Sequence, residues 1–249
     1  MNSAAGAGVI MVIKTSNTIQ TMFPIEENTL YVLFRRGEPE HIKNLFEKGE
    51  MYINTIDYIR TCDTNKDRSD INDSMRERQV LSDVKIEMCD MGQDINKDGI
   101  TFKNESCVLN YDNDKKGNIY CLSGIYTNDL MDAKDITTFE TKSFGESLIV
   151  ILRPRQFLER VKTALSEAGY KGIQYKRVDY FNNGYSGQTG IFKKHENYST
   201  QNEFRFYVPN AKNEPIKINI GSIEDIAVMK KGIYLRYTFS DGRKKVFFI

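Results

Sequence analysis

The sequence predicts a strand-rich α+β fold in a single domain over residues 29–249, with mixed and antiparallel sheets and a few helices. Three observations carry that prediction. Short aromatic and β-branched runs recur between turn-rich segments. Only two stretches, Pro39 to Lys48 and Pro154 to Ala168, place apolar residues at helical spacing. Strand-like runs therefore outnumber helices, which favours α+β over a doubly wound sheet. The chain has 249 residues, 40% hydrophobic and 28% charged, a composition that buries a large core without disulfides.

Residues 1–28 read as a flexible segment, with Ala4-Ala5-Gly6-Ala7-Gly8 as a frayed tail. Its apolar run, Met1 to Ile13, has no positive residue before it, and Lys14 interrupts it well short of the roughly 20 residues of a membrane span. A cytoplasmic location with reduced thiols and no membrane partner is expected. Thr29 to Arg36 reads as a strand closed by Gly37. The helix after it begins at Pro39, which suits a first turn, carries Ile42, Leu45 and Phe46 on one face, and ends before Gly49. Met51 to Thr55 is the next strand.

From Cys62 to Asp83 the chain is polar and reads as a solvated loop. Short strands follow at Val84 to Cys89, Ile100 to Lys103, Cys107 to Tyr111 and Ile119 to Ser123, joined as hairpins. Leu148 to Leu152 is a buried strand. The second helix turns Phe157, Leu158, Val161 and Leu165 inward. Strands are expected around Ile173 to Tyr180, Glu203 to Val208 and Ile216 to Ile220. A final hairpin turns at Ser240-Asp241-Gly242.

With 35 basic and 34 acidic residues, charge neither demands nor excludes a nucleic-acid partner. Cys62, Cys89, Cys107 and Cys121 are widely spaced and only His41 and His195 accompany them, so no zinc site is expected. Asp94 to Glu105 fits the twelve-residue calcium-loop pattern, but its flanks are strand-like and Asn96-Lys97-Asp98-Gly99 is a good turn. No metal is assigned to it.

The run from Tyr198 to Val208 carries the most chemistry. On a strand, Gln201, Glu203 and Arg205 project to one side, opposite Phe204 and Phe206. Such a row is either a site or a solvated face, where Glu203 and Arg205 would form an exposed pair worth about 0–1 kcal/mol. Ser123 before Gly124 reads equally as a turn residue, and His195 as part of a polar loop.

Three segments resemble ADP-ribosyltransferase folds. They are Leu30 to Arg36 with its following helix and strand, Asn118-Ile119-Tyr120-Cys121-Leu122-Ser123, and Gln201-Asn202-Glu203 preceded by Tyr198. The chain from 29 to 230 also resembles a loosely defined set of uncharacterised bacterial proteins, some linked to phage defence by abortive infection. Those share a Cys-x-Ser strand, a Tyr-x-x-Gln-x-Glu-Phe-Arg strand and the Ile220 to Ile226 pattern. The Ser-Thr-Ser triplet of the arginine-type transferases is absent at Ser123.

The transferase resemblance implies an enzyme that uses NAD as substrate to modify a nucleic acid or protein, in a toxin or antiviral role with an antitoxin as a further partner. Glu203 and Gln201 would be catalytic. Arg35 or Arg36 would meet the diphosphate, strand alternation allowing only one of them to face the cleft. Ser123, Tyr120, Tyr198 and Arg205 would complete the dinucleotide site. Two other readings stand beside it. One is a non-catalytic sensor or interaction protein of a defence system; the other is a metal-dependent nuclease using Asp63, Asp67, Asp70 and Asp73.

Overall fold

Alternation along the strand Leu30–Gly37 sets the layering of the molecule. In the computed structural model, which describes the backbone of residues 8–13, 19–24, 29–61, 70–88, 100–112 and 115–249, Leu33 faces one core while Val32 and Phe34 face another. The neighbouring strand Ser147–Ile151 does the same, sending Ile149 and Ile151 one way and Leu148 and Val150 the other. A strand buried on both faces needs a layer on each side.

The first layer is helical. Ile42 and Leu45 from the helix Pro39–Lys48, and Phe157, Val161 and Leu165 from the helix Pro154–Glu167, pack on Leu33, Phe204 and Phe206. Burying each such side chain contributes about 1.5–3 kcal/mol. Gly49 ends the first helix as the sequence predicts, at φ 71, where a Cβ would stand 2.0 Å from the carbonyl oxygen of Gly221. Only glycine fits that close approach.

The second layer is a five-stranded sheet ordered Ile19–Pro24, Gly8–Ile13, Tyr234–Phe239, Lys244–Phe248 and Ile136–Thr138. Its Leu235, Tyr237 and Phe247 close the second core. The expectation of a flexible segment over residues 1–28 is therefore corrected for 8–13 and 19–24. The β-branched run at Val9 to Ile13 pairs antiparallel with Leu235 to Phe239, satisfying backbone groups that an open edge would leave to water.

The central sheet runs Gln174–Arg177, Glu203–Pro209, Gly117–Tyr126, Leu30–Gly37, Ser147–Ile151 and Ala227–Lys230, with Glu50–Thr55 and Ile216–Asn219 branching from its middle. The branch creates the site. Along one edge, residues 117–123 of Gly117–Tyr126 pair with the Glu203 strand. Along the other, Ser123 to Tyr126 pair with Leu30 to Phe34, whereas Asn118 and Ile119 pair with Asn54 and Thr55. Between those partners, residues 120–122 face a gap.

Two further differences from the sequence reading concern the middle of the chain. The short strands expected from 84 to 111 are one long hairpin, Glu77–Met88 with Ile100–Tyr111, so the polar loop ends at residue 76. The side chains of the calcium-loop match, 94–105, lie outside the described residues, as do Asp63, Asp67 and Cys89. Among the described residues no helix is long and apolar enough to cross a membrane.

Candidate functional site

The gap in the central sheet opens into a cavity of about 1010 Å³. Its lining includes Arg35, Arg36, Tyr120, Ser123, Gln201, Glu203 and Arg205, residues that the sequence places far apart. Tyr198 does not line it. That ring sits 4.3 Å from Lys194 Nζ and lines a neighbouring cavity of about 300 Å³.

The strand reading of Tyr198 to Val208 holds only from Glu203 onward. Glu196–Gln201 is a 3-10 helix, capped by Asn202 in the left-handed region at φ 42, and the strand starts at the next residue. Asn202 supports that turn by donating to the Gly124 carbonyl at 2.7 Å and to Asp129 Oδ2 at 2.8 Å. A short amide side chain tolerates left-handed backbone, and these bonds fix it there. Glu203 then lies directly across from Ser123, and Arg205 across from Cys121, all on one face.

That face is buried, which replaces the reading of an exposed pair. Arg205 is fully buried and gives Nε to Glu203 Oε1 at 2.7 Å. Its other nitrogens form a fork on Asp73, at 2.7 and 2.9 Å, and reach the Ile191 carbonyl at 2.6 Å. Lys194, 5% exposed, bridges Gln201 Oε1 at 3.1 Å and Glu203 Oε2 at 3.4 Å. The Glu203 N–H donates to Tyr180 Oη at 2.9 Å. Arg205 is thus spent on holding Glu203 and Asp73, and is a positioning group within the cavity wall.

Sequence reasoning named Asp73 only as a metal ligand of the nuclease reading, and missed Lys194, Cys121 and Tyr180 as neighbours of the site. Arg205 and Asp73 are 132 positions apart, and Asp73 sits in a stretch whose charges resemble any solvated loop. Nothing local distinguishes it.

The charges decide the ionisation of the cluster. Burial pushes the Glu203 pKa up, but the Arg205 and Lys194 cations outweigh it and hold the carboxyl below its ordinary value. Burial opposes the charge of Lys194 as well, and the Glu203 and Asp73 carboxylates overcome it and raise its pKa. Asp70 goes the other way, raised by burial and then by Asp73. Burial, then Glu203, raises the Cys121 thiol above its ordinary value, which disfavours the thiolate.

A carboxyl held low in the fold contributes stability above its ordinary value of 4.5 that is lost as pH falls below it. Asp70 contributes in the opposite sense. Between pH 7 and pH 3 the melting temperature of the protein should fall further than that of Glu203→Gln, which lacks the titrating group. Parallel curves in a thermal-melt series would remove the Glu203 contribution.

The two arginines part company. Arg35 shares the face of Leu33 and lies in the gap, 4.1 Å over the Tyr120 ring, with Nη1 donating to the Cys121 carbonyl that no strand pairs on that side. Arg36 shares the face of Phe34, which lies opposite Ser123, and gives Nη1 to the Lys231 carbonyl at 2.9 Å. Alternation therefore places Arg36, not Arg35, on the Glu203 face.

Of the loop carboxylates, only Asp70 and Asp73 lie among the described residues. Asp73 is taken by Arg205, and among the described residues no three of His, Cys, Asp and Glu group as ligands. No family model, curated protein or solved structure matches the chain.

Proposed function

We propose that this chain is an ADP-ribosyltransferase-like enzyme that takes NAD as substrate and modifies a macromolecule, a nucleic acid or a protein. One observation carries the reading. Glu203 stands across from Ser123 in the wall of a split-sheet cavity of about 1010 Å³ that Tyr120, Gln201 and the paired arginines also line. That volume accommodates a dinucleotide.

Transfer would break the bond between ribose C1′ and the nicotinamide nitrogen, releasing nicotinamide, and form a bond from C1′ to the acceptor atom, which gives up a proton. The ribose passes through an oxocarbenium-like state. A carboxylate fixed before that charge develops stabilises it without reorganisation. Glu203 is suited to this because Arg205 holds Oε1 at 2.7 Å while Oε2 has only the longer 3.4 Å contact to Lys194, leaving acceptor capacity for a ribose hydroxyl. Gln201 beside it would orient the acceptor. The toxin or antiviral setting, with an antitoxin as partner, rests on the motif resemblance alone.

A second reading, partner capture without catalysis, draws on the hairpin Glu77–Met88 and Ile100–Tyr111, whose described part exposes Leu81, Val108 and Leu109. Isothermal titration with NAD separates the two. Saturable binding, weakened at least tenfold in Arg35→Ala through loss of the group that bridges the gap, supports the transferase. No binding by the unaltered protein at millimolar NAD leaves partner capture.

A further inference from the structure

The smaller cavity, about 300 Å³, shares Lys194 with the larger one and is otherwise lined by different residues. Two of them, Asp70 and Arg78, are each 8% exposed and carry opposite charges, yet no ion pair joins either to the other or to any other described residue. Side chains of this kind are seldom buried without a partner. Lys194 does not fill the role, since its ammonium is committed to Gln201 and Glu203 at 3.1 and 3.4 Å. Burial and the Asp73 carboxylate raise the Asp70 pKa, and the attraction of Lys194 does not offset them.

The fold holds the two charges apart. Arg78 gives Nη1 to the Tyr185 carbonyl at 2.5 Å and lies 5.7 Å from the centre of the Phe181 ring, while Asp70 Oδ1 accepts from the Asn72 N–H at 2.9 Å. Two amides stand between them. Asn110 is the strand partner of Arg78, and its Nδ2 donates to Asn72 Oδ1 at 3.2 Å. Cross-strand partners project to one face, so guanidinium, amides and carboxylate follow one another along a single wall of the cavity. Both ends keep capacity that solvent reaches: Nε and Nη2 of Arg78 and Oδ2 of Asp70 make no hydrogen bond among the described residues and are not sealed in the interior.

One unused cation and one unused anion, spaced by amides, match a small ligand that carries both charges. We propose that this cavity binds a free α-amino acid, with its ammonium on Asp70 and its carboxylate on Arg78. The guanidinium fork suits a carboxylate, and a volume of about 300 Å³ stands at the small end of ligand pockets. A purely anionic ligand would leave Asp70 unpaired, and a cationic one Arg78. The site uses neither Glu203 nor NAD and stands whether or not the chain is a transferase.

The test screens the full chain for thermal stabilisation by each proteinogenic amino acid at millimolar concentration. The strongest is then measured by isothermal titration beside its N-acetyl derivative, its carboxamide and inorganic phosphate. At least one amino acid should raise Tm and bind saturably. Blocking either of its charges should weaken binding about tenfold or more, the scale of one hydrogen bond to a charged group. Asp70→Asn should weaken the amino acid by a similar factor while leaving the N-acetyl derivative unchanged, and Arg78→Met should do the same with the carboxamide unchanged. That match of variant to blocked group is one a merely structural residue would not produce. Where a variant does not fold, the blocked ligands on the unaltered protein decide. Binding by no amino acid, equal binding of the parent and blocked forms, affinity unchanged in both variants, or binding of phosphate alone overturns the site.

Discussion

Glu203→Gln should lower the rate of nicotinamide release about 10²- to 10³-fold while leaving the KM for NAD within about threefold. That is the scale on which a fixed electrostatic group acts at a developing charge. The split between the two constants follows from where the group sits. Glu203 is 4% exposed in the cavity wall, so it adds little to binding the dinucleotide and acts when the ribose becomes positive. The amide keeps the shape and can still accept from Arg205 Nε, but it supplies no negative charge. Steady-state kinetics and a melting curve on the same preparation decide the matter. A variant that is folded and retains more than a third of the rate would end the catalytic role for Glu203 and leave it as a counter-ion of Arg205 and Lys194.

Asp73→Ala should cost about 3–5 kcal/mol of unfolding free energy, the scale for removing one partner of a buried pair and leaving the other charge stranded. Arg205 places two nitrogens on this carboxylate, at 2.7 and 2.9 Å, and both side chains are 1% exposed. Loss of the fork also frees the group that fixes Glu203, so the same variant should lose activity beyond its loss of stability. Urea unfolding gives the number. The double variant Asp73→Ala with Arg205→Met should be more stable than Asp73→Ala alone, since methionine removes the orphaned charge and fills its volume. A loss under 1 kcal/mol, or no recovery in the double variant, would show that water or a local shift compensates Arg205 and that the buried network is not the anchor inferred from its geometry.

The difference between what was legible and what was not follows the range of the interactions. The helix Pro39–Lys48 and its Gly49 stop were readable to the residue, because the proline, the apolar face and the glycine all act within one segment. The pairing of opposite faces along Leu30–Gly37 was readable as a principle, but the choice of Arg36 for the Glu203 face waited on the register that sets Phe34 against Ser123. The strands at 8–13 and 19–24 were missed because a short β-branched run commits to a strand only when a free edge is present to receive it, here that of Tyr234–Phe239.

The sequence by itself determined a strand-rich α+β fold, the two long helices, the C-terminal hairpin, and the shared strand face of Glu203 and Arg205. Tertiary structure alone decided that this wall is buried, that the sheet divides beside Cys121, and that Asp73 and Lys194 complete the charge cluster. Local pattern reports which side of a segment is apolar. The partner of a charge depends on chain closure over more than a hundred residues, and no period or motif in the segment carries that information.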